Sequence, residues 1–440
     1  MAHLAAKQSY VDLQKRLDKM PVGAPPRKEL FDLLQELFTD EECKIAAAMP
    51  FSLASARTIA AAAGVDTKRA EQVLTTLAQK GLVVDIPREG RSTYYFLNPT
   101  VIGFFEFTMM RVRNNLDQKK IAKLMWAYIK EDPTQAFISQ ISGGQTFMAR
   151  PMVHEDVLSD EVYAEVLDYE KATKMVEEGR RWAVGLCHCR HVKEHLGKPC
   201  SYPMDVCLSF GQGADYLIRN NISREIGKSE ALDILTQCRE LGLVQMGDNV
   251  KRNATFICNC CKCCCEMMLG LRTVPDGAKV VTSNYMACAD EDVCNGCGKC
   301  AKACPIDAIE MVPAEPTDKA KKRKKMAVVD AERCLGCGVC HRACNFESIS
   351  LSPIGVRTYT PESLMEKLIL QAVERGKLQH YLFADHTKVS HRAMSSFIGA
   401  IINLPPAKRL LARDQIKSAF VDRLLSMMRH NKSGREALKV

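Results

Sequence analysis

Two cysteine runs in the C-terminal third constrain the fold more than any other feature of this 440-residue chain. Each run has the spacing C-x2-C-x2-C-x3-C, and together they contain Cys294, Cys297, Cys300, Cys304, Cys334, Cys337, Cys340 and Cys344. A [4Fe–4S] cube needs four converging thiolates, and two-residue spacings wrap a short loop around three irons. Glycines at 296, 298, 336 and 338 let the backbone approach the sulfides. Four thiolates can also bind zinc, but the tandem three-plus-one runs predict two [4Fe–4S] clusters and hence electron transfer.

Segment 283–353 resembles a bacterial-type two-cluster ferredoxin, and this resemblance implies a βαββαβ fold. In such ferredoxins the fourth cysteine of each run binds the other cluster. The resemblance therefore assigns two ligand sets, which are Cys294, Cys297, Cys300 and Cys344 for cluster 1, and Cys334, Cys337, Cys340 and Cys304 for cluster 2. Two departures from the pattern remove no ligand. Asn345 stands where a proline would follow the second run, and the linker carries a basic knot of Lys319, Lys321, Lys322, Arg323, Lys324 and Lys325.

An upstream cysteine group has the spacing C-x-C-x10-C-x6-C and comprises Cys187, Cys189, Cys200 and Cys207. These four thiols suffice for a third [4Fe–4S] cluster. Arg190 could hydrogen-bond to a cluster sulfide, offset negative charge and raise the potential of the cluster. His188 and His191 are alternative ligands, and a zinc site or free thiols are the alternatives to a cluster.

A further group is denser and comprises Cys258, Cys260, Cys261, Cys263, Cys264 and Cys265. Six thiols in eight residues cannot all be ordinary core residues. Alternation along an extended chain would place Cys261, Cys263 and Cys265 on one face. It would place Cys258, Cys260 and Cys264 on the other face. A fourth cluster, an unusual cluster and a site shared with the first upstream group are all compatible with this pattern.

The order of these motifs resembles a family of multi-cluster 4Fe–4S ferredoxin-type proteins similar to those of anaerobes. The resemblance rests on the C-H-C-R-H stretch from Cys187, the C-N-C-C-x-C-C-C stretch from Cys258, and the tandem runs. Members often have a winged-helix-like N-terminus. The resemblance implies electron delivery to or from a flavin or metal oxidoreductase, as a carrier or as the electron-transfer subunit of a complex.

The cysteine content also bears on the redox compartment. Of 21 cysteines, 18 lie in the three groups between Cys187 and Cys344. No apolar run is long enough for a membrane span, and the N-terminus lacks a secretory pattern, so we expect a cytoplasmic protein. Cytoplasmic thiols stay reduced, which favours metal or redox chemistry over disulfides. Outside the groups, Cys43 and Cys238 are predicted core residues, and Cys288 is a spare thiol.

Hydrophobic periodicity predicts an α+β, multi-domain chain. Within 28–100, helices capped by Thr39 and Asp66, a short helix closed by Gly64, and a hairpin resemble a winged helix-turn-helix. Farther on, a helix over Val166–Val176 and one capped by Ser229 are predicted. The predicted divisions are 1–27 helical arm and linker, 28–100 winged-helix-like domain, 101–180 helical connector, 181–282 Cys-rich iron–sulfur domain, 283–353 two-cluster ferredoxin domain, and 354–440 basic helical segment.

The charge of the chain, +9 overall, is unevenly distributed. Residues 355–440 hold 15 Lys and Arg against 7 Asp and Glu. Such a segment is either a solvated surface or a docking site for an acidic partner or an anionic membrane surface. Within it, Ile416, Phe420, Leu424 and Met428 recur every four residues and predict a core or docking face.

No motif identifies a catalytic residue. The sequence has no P-loop, and Gly211-Gln212-Gly213 lacks the third glycine of a dinucleotide fingerprint because Tyr216 stands there. One alternative function is a redox-sensing transcription regulator that places the helix over Asp66–Lys80 on DNA. Residues 53–98 contain six basic and four acidic residues, which makes DNA binding a weak prediction. Another alternative is an enzyme with a substrate-binding cluster at the upstream cysteines.

Overall fold

The computed structural model describes residues 7–88, 90–132, 144–273, 282–355, 357–382, 394–396 and 423. Helices and strands are mixed along these ranges, in keeping with the α+β class. All 21 cysteines lie within them, and none forms a disulfide. The predicted stripe from Ile416 to Met428 lies outside the described residues, as does most of the basic segment 354–440.

The N-terminal part consists of helices followed by a hairpin, in the predicted order. Its elements are α1 Gln8–Asp18, α2 Lys28–Leu37, α3 Asp40–Ala48, β1 Ala54–Ser55, α4 Ala56–Ala63, α5 Thr67–Lys80, β2 Val83–Arg88 and β3 Arg91–Leu97. Thr39 and Glu42 form a reciprocal capping box, and Asp66 caps α5. Gly64 ends α4 at a φ of 67°, a left-handed conformation that glycine adopts without strain. The strands form an antiparallel sheet in the order β1-β3-β2.

A six-stranded antiparallel sheet forms the middle of the molecule, in the order β4-β8-β9-β6-β5-β7. Its strands are β4 Ala149–Pro151, β5 Trp182–Leu186, β6 Asp205–Phe210, β7 Arg224–Ile226, β8 Val244–Asp248 and β9 Phe256–Cys260. The helices of this region are α6 Phe105–Met109, α7 Gln118–Lys130, α8 Asp160–Ala164, α9 Ala172–Glu178, α10 His188–His195, α11 Gly211–Arg219, α12 Lys228–Glu240 and α13 Glu266–Thr273.

Three predictions for this region differ from the structure. The segment 101–180 contributes β4 to the sheet, where it pairs with β8, so it is more than a helical connector. The helix predicted over Val166–Val176 begins only at Ala172, after a single 3₁₀ turn. Gly227, not Ser229, occupies the N-cap of α12. Helix ends depend on the local hydrogen bonds of the chain, which periodicity does not determine.

Six short elements flank the cysteine runs, in the order strand, helix, strand, strand, helix, strand. They are β10 Tyr285–Ala289, α14 Lys299–Ala303, β11 Ile309–Pro313, β12 Lys325–Val329, α15 Val339–Arg342 and β13 Ile349–Pro353. The first strand pairs with the last, and the two inner strands form a hairpin. Two further helices follow, α16 Leu364–Glu374 and α17 Leu378–Leu382. In the described part of the chain, no helix combines the length and apolarity that crossing a membrane requires.

A buried ion pair attaches α16 to the central sheet. Lys367, which is 5% exposed, donates to the carboxylate of Asp248, which is fully buried on β8. The Lys367 ammonium also donates to the Met148 carbonyl, at 3.2 Å. The other oxygen of Asp248 accepts from the Thr255 amide and hydroxyl, at 3.1 and 2.8 Å. The carboxylate is therefore fully hydrogen-bonded only while α16 is docked.

Replacing this lysine tests whether the ion pair holds α16 against the central sheet. Lys367→Met leaves Asp248 buried without a countercharge, and removing one partner of a buried pair costs about 3–5 kcal/mol. We expect amides of β8 and α16 to exchange faster in hydrogen exchange of the anaerobically purified protein. Lys28→Met removes an exposed pair with Asp32 and should cost no more than about 1 kcal/mol. Equal protection of β8 and α16 in both variants would refute the assignment.

Candidate iron–sulfur and metal centres

The eight cysteines of the tandem runs fall into two neighbourhoods. Burial raises the pKa of Cys300, and the neighbouring Cys294, Cys344 and Cys297 add to the rise. Burial also raises the pKa of Cys337 to about 12, with Cys304 and Cys334 contributing. The pKa of Cys340 rises for the same reasons, beside Cys337, Cys334 and Cys304. Each run therefore lies close to the fourth cysteine of the other run.

Backbone geometry at the cysteine loops leaves room only for glycine at two positions. Gly296, at a φ of 77°, faces the backbone carbonyl of Lys325, and Gly336, at a φ of 67°, faces that of Tyr285. A Cβ atom at either position would overlap the facing carbonyl. These contacts press each loop against a strand, because the backbone itself is the packing surface.

Several cysteine sulfurs of the tandem runs accept hydrogen bonds. The Ala308 amide donates to Cys304 Sγ at 3.2 Å, and the Gly336 amide donates to Cys334 Sγ at 3.4 Å. The hydroxyl of Ser348 lies 3.2 Å from Cys344 Sγ. Hydrogen bonds to cluster sulfur ligands tune reduction potential, so these donors are suited to an electron-transfer centre. Cys288, the predicted spare thiol, lies half-buried on β10 near Cys334.

The basic knot divides into one buried cation and a group of exposed ones. Arg323 is buried, donates to the carbonyls of Glu315 and Glu291, and lies 3.4 Å from that of Cys294. This arginine braces the first cysteine loop and is unavailable to a partner. The exposed members are Lys319, Lys321, Lys322, Lys324 and Lys325. Cys297, on the loop beneath Lys325, is exposed as well.

The upstream cysteines regroup in space. We call Cys187, Cys189, Cys207, Cys258, Cys260 and Cys265 the six-thiol centre, because all six line one cavity of about 190 Å³, which Cys261 also borders. The thiol of Cys187 lies close to that of Cys189, Cys189 to Cys265, and Cys265 to Cys260. The thiol of Cys207 likewise lies close to that of Cys258. The sheet explains this convergence, because β6 lies between β5 and β9 and brings their cysteines side by side.

The remaining upstream thiols form a second assembly. We call Cys200, Cys261, Cys263 and Cys264 the four-thiol centre, because their four Sγ atoms all lie within 4.8 Å of one another. Cys261 and Cys264 are buried, Cys200 is half-buried and Cys263 is exposed. The structure thus separates Cys200 from Cys187, Cys189 and Cys207, with which it was grouped by sequence. Cys200 lies on the loop between α10 and β6, and this loop reaches the turn after β9.

The predicted alternation of the dense run also differs from the structure. Strand β9 ends at Cys260, and the chain turns before α13 begins at Glu266. Cys258 and Cys260 share a strand face as predicted. Cys265, instead of Cys264, joins them, because the turn reverses the direction of the side chains between Cys261 and Cys264.

Arg190 lies between the two upstream centres. Its side chain is 1% exposed and donates to the carbonyls of Pro203 and Asn259, the latter at 2.8 Å. It also contacts the thiol of Cys261. The Cys264 thiol and the Arg190 guanidinium together lower the pKa of Cys261 to about 5, against the effect of burial. Arg190 thus lies beside Cys187 of the six-thiol centre as well as Cys261 of the four-thiol centre, and its bond to a cluster sulfide stays a prediction.

Polar side chains that sequence reasoning missed line the cavity of the six-thiol centre. Glu106, Lys130 and Glu266 join His188 in the otherwise largely apolar wall. The His188 ring lies 3.6 Å from Glu266, and despite burial the carboxylates of Glu266 and Glu106 raise the pKa of this histidine to about 9. His191, the other predicted ligand candidate, bonds instead to the Met109 carbonyl at 2.7 Å. Of the three residues missed, only Glu266 could have been identified from the sequence as a site residue, because it directly follows Cys265.

Three buried polar atoms of the cavity wall have no hydrogen-bond partner among the described residues. They are His188 Nδ1, Asn259 Oδ1 and Glu266 Oε1, the last of which has only its ion pair with His188 at 3.6 Å. Buried polar groups are almost always hydrogen-bonded, so such atoms indicate a bound group that supplies the partners. The cavity is thus suited to hold a cluster together with water or a small polar molecule.

One contiguous core contains the tandem runs and much of the six-thiol centre. Cys260 and Cys265 belong to the same buried cluster as Cys300, Cys304 and Cys340, and Cys189 and Cys258 pack against it. Surface contacts also connect the segment after β9 with the residues that follow Cys304. Lys262 pairs with Asp307 at 2.6 Å, and Arg272 donates to the Pro305 carbonyl at 2.7 Å. Cys261 and Cys264 belong to a separate, smaller cluster with Cys238.

Comparison with known proteins locates the similarity in the tandem runs. Residues 293–348 match the family model of the 4Fe-4S dicluster domain. The chain is also 62% identical over 34 residues to an iron-sulfur subunit of the CoB–CoM heterodisulfide reductase of Methanopyrus kandleri. That match covers 8% of this chain and 5% of the relative. No solved structure matches. The dicluster match and the clustered cysteines together make the chain an iron–sulfur protein with multiple [4Fe–4S] clusters, of the kind that transfers electrons.

Proposed function

We propose that this protein passes electrons through three [4Fe–4S] clusters between a donor and an acceptor oxidoreductase. The observation that carries the proposal is the shared core, in which Cys260 and Cys265 pack with the cysteines of the tandem runs. Clusters held in one packed core keep fixed separations and exclude water between them. The protein would act as a cytoplasmic carrier, or as the electron-transfer subunit of a complex.

In this proposal the tandem runs hold two clusters with crossed ligands. Cluster 1 takes Cys294, Cys297, Cys300 and Cys344. Cluster 2 takes Cys334, Cys337, Cys340 and Cys304. The closeness of Cys300 to Cys344, and of Cys340 to Cys304, supports the crossing.

The six-thiol centre would hold the third cluster. A cubane uses four thiolates, so this centre has two to spare. Burial and neighbouring thiols raise the pKa of Cys258 and Cys260 far above the ordinary value. Metal binding replaces the protons of such thiols and spreads the charge of the thiolates over the cluster, so buried ligands suit a metal centre better than free thiols.

The exposed lysines beside cluster 1 would receive the partner. Five exposed lysines lie in the linker whose Lys325 backbone packs against Gly296, the residue before the exposed Cys297. A positive surface steers acidic proteins toward the point where electrons enter or leave. The partner is therefore an acidic flavin or metal oxidoreductase. The short match to a heterodisulfide reductase supports a place in such a complex. The basic segment 354–440 would extend this surface.

A second candidate function is an enzyme in which the third cluster meets a substrate. The cavity of the six-thiol centre favours it, because buried polar atoms there lack partners beside apolar walls. A DNA-binding regulator is favoured less. On α5, Arg69 pairs with Glu41 at 2.6 Å and Lys80 with Glu42 at 2.7 Å, so two of its cations are already neutralised.

The number of irons tests the third cluster. Anaerobically purified protein should contain about twelve iron and twelve sulfide ions, since each [4Fe–4S] cluster contributes four of each. The triple variant Cys258→Ala/Cys260→Ala/Cys265→Ala leaves three thiols in the six-thiol centre, fewer than a cubane needs. Cys261 also borders the cavity, but its thiol belongs to the compact group with Cys200, Cys263 and Cys264. The triple variant should lose about four irons. The matched control is Cys43→Ala/Cys238→Ala/Cys288→Ala, which should lose none. A wild-type protein with only about eight irons would refute the third cluster.

Combined substitutions test the crossed ligands. Cys344→Ala should lose about four irons, because it removes a ligand of cluster 1. Adding Cys297→Ala should then lose no more iron, whereas adding Cys334→Ala should lose about four more. Iron and sulfide analysis with EPR of the reduced protein provides the measurement, and Cys288→Ala is the control. The opposite pattern, with Cys334 silent and Cys297 additive, would show that each run binds its own cluster.

Reductants of opposite charge test whether the exposed linker lysines steer electron donors toward cluster 1. Replacing Lys319, Lys321, Lys322 and Lys324 by glutamine should slow reduction by dithionite, an anion, by a factor on the order of 10 at low salt. The same variant should be reduced faster by the cationic reduced methyl viologen. Both differences should shrink near physiological salt, where charges are screened beyond about 8 Å. Stopped-flow bleaching of the cluster absorbance measures these rates.

A control variant makes an equal change of charge elsewhere. Its substitutions replace the exposed Lys15, Lys68, Lys119 and Lys123 by glutamine. These lysines lie on α1, α5 and α7. If this variant changes the two reduction rates as much as the loop variant does, net charge and not the loop governs electron entry.

A further inference from the structure

We propose that the four-thiol centre binds a single zinc ion, separate from every iron–sulfur cluster. Its ligands are Cys200, Cys261, Cys263 and Cys264, whose Sγ atoms all lie within 4.8 Å of one another. The proposal goes beyond electron transfer and stands or falls independently of it, because it concerns a different set of thiols.

The spacing of the sulfur atoms favours one ion over a cube. Zinc–sulfur bonds of about 2.3 Å in a tetrahedron place the sulfurs about 3.8 Å apart. In a cube each thiolate binds a different iron, so the four sulfurs stand farther apart. The tandem runs provide an internal comparison. Among the described residues, which include all eight of their cysteines, no three of those eight form a group as compact as this one.

The composition of the site favours zinc over iron. Four thiolates close the tetrahedron and leave no open position, as in structural zinc sites. Divalent zinc binds such ligands more tightly than divalent iron does. The site also lies apart from the core that contains the tandem runs, in the smaller cluster with Cys238. An ion without redox chemistry suits a position outside the electron path.

The surrounding charges complement a zinc–tetrathiolate. One divalent ion with four thiolates carries a net charge of about −2. The guanidinium of Arg190 contacts Cys261 and is buried. The ammonium of Lys193 lies near Cys264 and Cys263, stacked 3.5 Å from the centre of the Trp126 ring. The Arg190 guanidinium and the Lys193 ammonium thus lie close to the two net negative charges of a zinc–tetrathiolate.

The ion would act as a brace for the neighbouring cluster. Along the chain, Cys258 and Cys260 of the six-thiol centre precede the zinc ligands, and Cys265 follows them. Zinc therefore fixes the turn between β9 and α13. It also ties this turn to the loop of Cys200, and so holds Cys260 and Cys265 in reach of one cluster.

Metal analysis of the full-length, anaerobically purified protein tests the proposal. We expect one zinc per chain, and X-ray absorption at the zinc edge should show four sulfurs at about 2.3 Å. Cys263→Ser, at the exposed ligand, and Cys200→Ser, on a separate loop, should each lose the zinc. The tandem-run clusters should keep their iron in both variants. Cys238→Ser is the matched control and should keep the zinc, because this buried thiol lies beside the site without belonging to it.

Each other outcome refutes the proposal. Loss of about four irons and four sulfides with Cys263→Ser would mean that the four thiols hold a cube. A single iron without sulfide at the site would mean a mononuclear iron centre. Wild-type protein without zinc, or variants that retain it, would mean that these thiols bind no such ion. None of these results depends on whether the third cluster exists.

Discussion

Convergence of thiols on metal is the interaction on which the rest of this structure depends. Eighteen cysteines gather in three groups along the chain, and most of them are buried or half-buried. Without metal these thiols resist ionisation, since burial and neighbouring sulfurs raise the pKa of Cys258, Cys260 and Cys340. Metal supplies the positive charge that such a site lacks, so folding and metal binding are coupled. Metal bound by these thiols therefore also stabilises the strands and turns around them.

The backbone and the buried arginines around the cysteine loops hold these loops in place. Gly296 and Gly336 press the cysteine loops against neighbouring strands, where a side chain would overlap a carbonyl. Arg323 and Arg190 are each buried, and both use backbone carbonyls next to a cysteine loop as acceptors. A buried guanidinium is costly unless it is paired, and thiolates beside it offset that cost. The two arginines thus link the charge of the metal centres to the packing of the loops.

In the proposed arrangement, electron transfer and bracing are assigned to different groups of thiols. The tandem runs share a core with Cys260 and Cys265, whereas Cys261 and Cys264 lie in another cluster. A short stretch of chain therefore supplies ligands to two centres that face different surroundings. The exposed Cys297 and the lysines around it mark a surface of the ferredoxin elements where a partner can approach.

The sequence by itself determined what depends on neighbours along the chain. The tandem runs predicted two clusters, and the dicluster match over 293–348 agrees, because three ligands of each cube come from one short loop. The capping box at Thr39 and the end of α4 at Gly64 were predicted for the same local reason. Only the tertiary structure decided the upstream centres. The pairing of β6 with β5 and β9 brings Cys207 to Cys258, and the turn after Cys260 sends Cys261 toward Cys200. The tertiary structure also brings Glu106 close to His188, which follows it by more than eighty residues along the chain. These partners are distant along the chain, and the strand register that unites them depends on the whole sheet, so no local spacing could predict them.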